Sequence, residues 1–251
     1  MSGHSHWATI RRKKGANDAK KGASFTRLAR EIVMAARNGG GDPGSNFRLV
    51  LAIEKARAGN MPKDNIERAI RRGTGEDKDG TVFEEITYEG FGPHGVALVM
   101  DCVTDNRNRA VAEIRHLLSR SGGNMAEAGS VSWQFSRNSY FSFAASQMGF
   151  DKAFELAVEA GAEDVQEDGE NIEILGPVDA FKKISDALQK AGVTPDDAEL
   201  RMIAKQDVEL DVDDTLSVLR VVESLEELDD IQSVFHNLKI SDEALAALEA
   251  E

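Results

Sequence analysis

Apolar residues recur three or four positions apart at Phe25, Leu28, Ile32 and Ala35, and this spacing predicts an amphipathic helix. Ser24 offers an N-cap, Gly39 a stop, and Arg27, Arg30 and Arg37 fall on its polar face. The Gly-Pro stretch GGGDPGS then breaks the pattern. NFRLVLAIEKARAGN gives a second helix with Phe47, Val50, Leu51 and Ile53 apolar. MPKDNIERAIRRG gives a third, with Pro62 in its first turn and Gly73 at its end. In that helix Asp64–Arg68 and Glu67–Arg71 stand four apart, the spacing of supporting ion pairs.

After the linker-like GTGEDKDG the period shortens. TVFEEITYEGFG and GVALVMDCVT read as two strands joined by a turn at Gly92–Gly95. DNRNRAVAEIRHLLSRSGG reads as a helix and SVSWQF as a returning strand. From Asn138 the order is β-α-β-β-α-β: SYFSFAA, FDKAFELAVEAG, a hairpin of AEDVQE and NIEILG, VDAFKKISDALQKAG, and AELRMIAKQ. That is the ferredoxin-like split pattern. The tail supplies a helix, a short strand at Ile231–His236 and a last helix, which would complete the interrupted β-β-α-β unit. The expected fold class is therefore α+β. An N-terminal three-helix domain precedes two α/β domains, one ferredoxin-like and inserted in the other. The expected boundaries are 1–75 for the helical domain with its N-terminal arm, 80–135 plus 207–251 for the discontinuous middle domain, and 138–206 for the insert.

Charge changes this picture from a fold to a function. The net charge is −14. Residues 1–75 hold 16 Lys+Arg against 6 Asp+Glu, a balance of +10, and the remainder holds 14 against 38, a balance of −24. A basic segment on an acidic body attracts a polyanion at one place and repels it elsewhere, so it orients what it binds. The arm contributes Arg11, Arg12, Lys13, Lys14, Lys20 and Lys21, interrupted by Gly15 and Gly22, a pattern suited to phosphate contact and to ordering on a partner. Arg27, Lys63, Arg71 and Arg72 extend the basic set over the helices. Trp7 either stacks on a base or packs the arm onto the helical domain. At TDNRNRA, Arg107 and Arg109 either frame an anion site at a helix N-terminus or flank an N-cap made by Asp105 or Asn106.

Other chemistry is thin. His4 and His6 beside Trp7 lack the partner Cys or His residues that a zinc site needs, so no metal and no cofactor is expected. No nucleophile elbow, phosphate-binding loop or dinucleotide fingerprint occurs, and the expectation is a protein that is not an enzyme. The single cysteine, Cys102, lies in an apolar run and reads as a core residue of a reducing compartment. No apolar run is long enough to span a membrane, and the N-terminus lacks the apolar core of a signal peptide, so the expected location is cytoplasmic.

Four stretches, GHSHWATIRRKKGANDAKKG, NMPKDNIERAIRRGTGE, YEGFGPHGVALVMDCVTDNRNRAVAEIRH and GGNMAEAGSVSWQF, together resemble the YebC/PmpR family from the first residues to about Phe135. The resemblance implies three domains with the last in space inserted into the middle one. It implies regulation of gene expression through nucleic acid, since family members include DNA-binding transcriptional regulators, a mitochondrial translational activator and bacterial proteins that relieve ribosome stalling. The family commonly carries Lys where His6 stands and Gly or another small residue where His94 stands. The leading expectation is RNA on the ribosome as partner, with promotion of translation. DNA at promoters is the alternative, and a protein-interaction adaptor working through the acidic α/β domains is a third reading.

Overall fold

The computed structural model describes residues 18–77 and 82–250, with side chains from Phe25 to Leu248. The described residues fall into two compact units: 18–131 with Ser217–Val234, and Ser132–Leu216 with 235–250.

In the first unit three helices come first: α1 (Asp18–Gly39), α2 (Phe47–Ala58) and α3 (Lys63–Thr74). Helix α1 starts six residues before Ser24, so that serine lies inside the helix and not at its start. The reason is local, since Asp-Ala-Lys-Lys favours helix enough to carry Gly22 within it. Asn46 caps α2 by accepting the Leu49 N–H at 3.1 Å. Its amide also donates to the Ala35 and Gly40 carbonyls at 2.8 and 2.7 Å, which ties the end of α1 to the start of α2. The helices bury Ile32, Leu49, Ile53, Ala56, Ile66 and Ala69 in one core, to which Phe83 and Val103 add.

Gly73 does not end α3. The helix runs to Thr74, and Gly75 in the left-handed region (φ 80°) terminates it. Gly73 is there because α1 lies against it: a Cβ at this position would stand 2.5 Å from the Val33 carbonyl oxygen. Of the pairs anticipated in α3, neither forms. Glu67 pairs back to Lys63 at 3.5 Å, and Arg71 meets Asp77 at 3.6 Å, because the chain turns back past Gly75 and brings that carboxylate to it.

A four-stranded sheet follows, in the order β3-β1-β2-β8, built from β1 (Glu84–Phe91), β2 (Ala97–Thr104), β3 (Asn124–Met125) and β8 (Ile231–His236). Strands β1 and β2 pair antiparallel from Glu84↔Thr104 to Phe91↔Ala97. The tight connection holds His94 at φ 59°, a conformation that suits glycine. Helix α4 (Arg107–Arg120) links β2 to β3, and α7 (Val212–Glu226) precedes β8. The Val103 N–H donates to the Asp230 carbonyl at 2.8 Å, so the tail does complete the β-β-α-β unit.

The third strand of that unit is Asn124–Met125, whereas SVSWQF was expected to supply it. Buried Glu89 accounts for the difference. Its carboxylate accepts the Gly129 and Val131 N–H groups at 2.7 and 2.6 Å, which curls the segment around a side chain and withholds those donors from a ladder. Ser132–Gln134 is then a single 3₁₀ turn with Trp133 exposed, and Phe135 opens the next strand.

The second sheet is contained in sequence between β3 and β8. Its strands β4 (Phe135–Ala144), β5 (Asp164–Asp168), β6 (Asn171–Pro177) and β7 (Asp197–Ala204) take the order β5-β6-β4-β7, all antiparallel. With α5 (Phe150–Glu159) and α6 (Phe181–Lys190) between them, this is the ferredoxin-like arrangement. Phe141, Phe143, Ile172, Ile174 and Ile184 are fully buried here, and Phe141 meets Phe181 with ring centroids 4.5 Å apart. The chain ends with α8 (Asp242–Ala250).

Candidate nucleic-acid interface

The sequence-predicted contact residues meet very different fates. Trp7, Arg11, Arg12, Lys13 and Lys14 lie outside the described residues, as do His4 and His6. Lys20 and Lys21 fall in the first turns of α1. Along the rest of α1 the arginines are not simply displayed to solvent. Arg27 donates to the Glu226 carbonyl at 3.5 Å, and Arg37 donates to the Phe83 carbonyl at 2.7 Å. Arg30, with its side chain only 12% exposed, reaches Asp230 at 3.1 Å. These donors answer carbonyls and a carboxylate beside α1, so that face of the helix is partly interior.

Helices α2 and α3 show the same mixture. Arg48 pairs with Glu85, and Lys55 lies 3.2 Å from Glu31. Lys63 and Arg71 hold the exposed pairs already described, which solvent screening makes weak. The Arg72 guanidinium stands 4.9 Å from the Phe83 ring centroid, and that of Arg30 stands 5.5 Å from it. Arg57 and Arg68 are exposed and have no ion-pair partner among the described residues. Sequence reading had put neither in the contact set. Their signal was available, since the third helix places Arg68, Arg71 and Arg72 within one and a half turns.

At the start of α4 the N-cap reading and the anion-site reading separate. Asn106 caps the helix by accepting the Arg109 N–H at 3.1 Å, while Thr104 Oγ1 accepts the Asn106 N–H at 3.0 Å. The Arg109 guanidinium lies 2.9 Å from both Asp230 oxygens through Nη2, with Nε at 3.1 Å, and also donates to Asp105 at 2.8 Å. Asp230 is 2% exposed, so Arg109 and Arg30 jointly neutralise a buried carboxylate. The hydrogen bonds from Arg109 to Asp230 and Asp105 raise the arginine pKa. The bond from Arg109 likewise holds the Asp105 carboxyl below its ordinary range. Arg107 remains largely exposed, 3.8 Å from Glu84.

Cys102 is 2% exposed in β2, and burial pushes its thiol up to about 12, which keeps it protonated and inert. Among the described residues no group of three or more His, Cys, Asp or Glu is placed to hold a metal ion. No described helix is long and apolar enough to cross a membrane.

Three helices with a mixed set of paired and unpaired cations, followed by two sheets with packed helices, define a mixed α+β protein. Comparison with known proteins gives the same architecture a family. Residues 5–76 match the TACO1/YebC protein N-terminal domain, and residues 83–238 match the TACO1/YebC second and third domain. A probable transcriptional regulatory protein of Chlorobaculum tepidum is 48% identical over 252 residues, covering all of both chains. One from Acidithiobacillus ferrooxidans is 50% identical over 250 residues, covering 100% of this chain and 99% of its own. The crystal structure of a conserved hypothetical protein from Aquifex aeolicus is similar with a TM-score of 0.82 and 40% identity, covering 90% of this chain and 93% of that one. The chain belongs to the TACO1/YebC family.

Proposed function

We propose that this protein is a non-enzymatic regulator of gene expression that binds RNA on the ribosome and promotes translation. The observation that carries the reading is the division of charge, +10 over residues 1–75 against −24 over the rest. Phosphate contact falls to the arm, to Lys20, Lys21 and Arg27, and to the exposed cations of α3, in a basic helical domain over 1–75. The acidic domains over 80–135 plus 207–251 and over 138–206 are repelled by phosphate and so stand away from the nucleic acid or meet proteins. Arg57 and Arg68 join the contact set because they are exposed cations with no carboxylate partner among the described residues. Backbone and shape recognition fits this set better than base-edge reading, because arginines spread over three helices track phosphates.

The second reading is transcriptional regulation through DNA, favoured by the names of the relatives. Crosslinking in cells, with sequencing of both RNA and DNA, separates the two. Ribosomal RNA enrichment is expected, and promoter DNA enriched without ribosomal RNA would reverse the order. Charge reversal at Arg11, Lys13, Lys14 and Lys20 tests both against the adaptor reading. Loss of nucleic-acid association at physiological salt is expected, and association that survives the reversal would leave the arm incidental.

A further inference from the structure

Between α1 and α3, beside Phe83, lies a cleft of about 470 Å³. Its size is that of a small-molecule site and exceeds a packing defect. It exists because of side-chain size. Where the helices touch at Gly73 they are in near-backbone contact, but at the level of the cleft the facing residues are Ala29 and Ala69, which fill little of the space. Val33, Met61 and Phe83 make the remaining apolar wall.

The polar part of the lining is cationic. Arg30, Arg68 and Arg72 contribute three guanidinium groups, of which Arg30 already answers Asp230, against one carboxylate, Asp105, which Arg109 holds at 2.8 Å. Among the described residues Arg30 Nε is a buried donor with no hydrogen-bond partner, on a side chain whose other end is fixed by Asp230. A buried donor without a partner costs stability, and a ligand acceptor would recover it. Asn65 adds an amide with two donors and an acceptor. Arg68 stands exposed at the cleft.

Such a lining suits an occupant with an apolar face, hydrogen-bonding edges and a negative charge. We propose that the cleft takes one unstacked nucleotide of a bound RNA, with the base against the apolar wall beside the Arg72 guanidinium that stands over Phe83, its edge toward Asn65 and Arg30 Nε, and a phosphate at Arg68. This rests on the nucleic-acid reading above and names the part of the RNA recognised there. Fully paired RNA cannot enter, because its bases are stacked.

The test uses the full chain and a short single-stranded RNA carrying 4-thiouridine. Irradiation followed by peptide mapping is expected to give crosslinks at Phe25, Met61 or Phe83. Fluorescence anisotropy is expected to show that Ala29→Leu, which fills the cleft without changing charge, weakens the single-stranded RNA about tenfold and lowers the salt slope by no more than the one phosphate held at Arg68. If that variant melts early, Asn65→Ala is read in its place, with the same expectation. RNA that binds with unchanged affinity to these variants and crosslinks only elsewhere overturns the cleft assignment and leaves the nucleic-acid reading standing. A paired hairpin that competes as well as the single strand does the same. Failure of any RNA to bind at physiological salt overturns both.

Discussion

The helices α1–α3 and the ferredoxin-like sheet both carry arginines, and they use them in opposite ways. In the sheet Arg201 is inserted into the structure. Its guanidinium lies 3.6 Å from the Tyr140 ring centroid and 2.8 Å from the Glu199 carboxylate. Burial works to lower its pKa, but the adjacent Glu199 and Tyr140 outweigh that and the net shift is upward. Tyr140 in turn donates to buried Glu173 at 2.6 Å. In the helices Arg57 and Arg68 stand exposed, and Lys63 and Arg71 hold only screened surface pairs. Arg109 and Arg30 belong with Arg201, because they serve the buried carboxylate of Asp230. The lesson is that regional charge locates cations, but a buried partner decides which of them are committed to folding and which are available to phosphate. Substitution should therefore divide cleanly, with stability lost at one group and affinity at the other.

The largest break in this division is expected at Asp230. Asp230→Ala leaves two guanidinium groups without the carboxylate they enclose, and the loss of a partner from such a buried site costs about 3–5 kcal/mol. Urea denaturation should show the unfolding free energy falling by that amount, read as a lower midpoint at unchanged slope, while RNA affinity of the folded fraction stays at the parent value. A smaller effect is expected from Tyr140→Phe. It removes one hydrogen bond to a buried carboxylate, worth about 1.5–3 kcal/mol, with no change in RNA binding. A fall in affinity for either variant would show that the two groups are not separate.

Arg57→Ala and Arg68→Ala run the other way. Exposed positions of this kind change stability by less than about 0.5 kcal/mol. Each lost phosphate contact should lower the slope of log affinity against log salt by about 0.7–0.9. The measurement is a salt titration of RNA binding for each variant, with thermal melting as the control. An unchanged slope for Arg68 in particular would remove it from the interface while leaving the sheet arginines as they are.

Why one group was legible in the sequence and the other was not follows from what periodicity can see. The three helices, the ferredoxin-like order and the Ile231–His236 strand all rest on local apolar spacing, and each is present, although α1 begins earlier and α3 ends later than the spacing put them. The failures fall where a distant side chain overrides the local pattern. Glu89 draws Gly129 and Val131 away from a strand, and the backbone of Val33 decides the role of Gly73. At Arg109 the local pattern leaves an anion site and an N-cap flank open, and the Asp230 that it grips lies 121 residues further on. Arg57 and Arg68 are readable as cations, but their lack of an ion-pair partner among the described residues is a fact of three dimensions. Helix propensity was underweighted at Asp18–Ala23, where a supposed arm is already helical.

The smallest expected effect is one of pH, and it probes the rim between the two groups. Asp105 is accessible yet bonded to Arg109, and that bond holds its carboxyl below the ordinary range near 4. The folded state therefore binds this proton less readily than the unfolded chain does. Its contribution to stability is complete above the unfolded value and disappears as pH falls through the lower, folded value. Because the group is more than a third exposed, the effect is small beside that of Asp230→Ala. Comparing melting temperatures of the parent and Asp105→Asn from neutral pH downward should show a modest gap that closes on acidification below about pH 4. A gap that persists into acid would mean that Asp105 acts by shape, with its charge immaterial, and Arg109 would then owe its place to Asp230 alone.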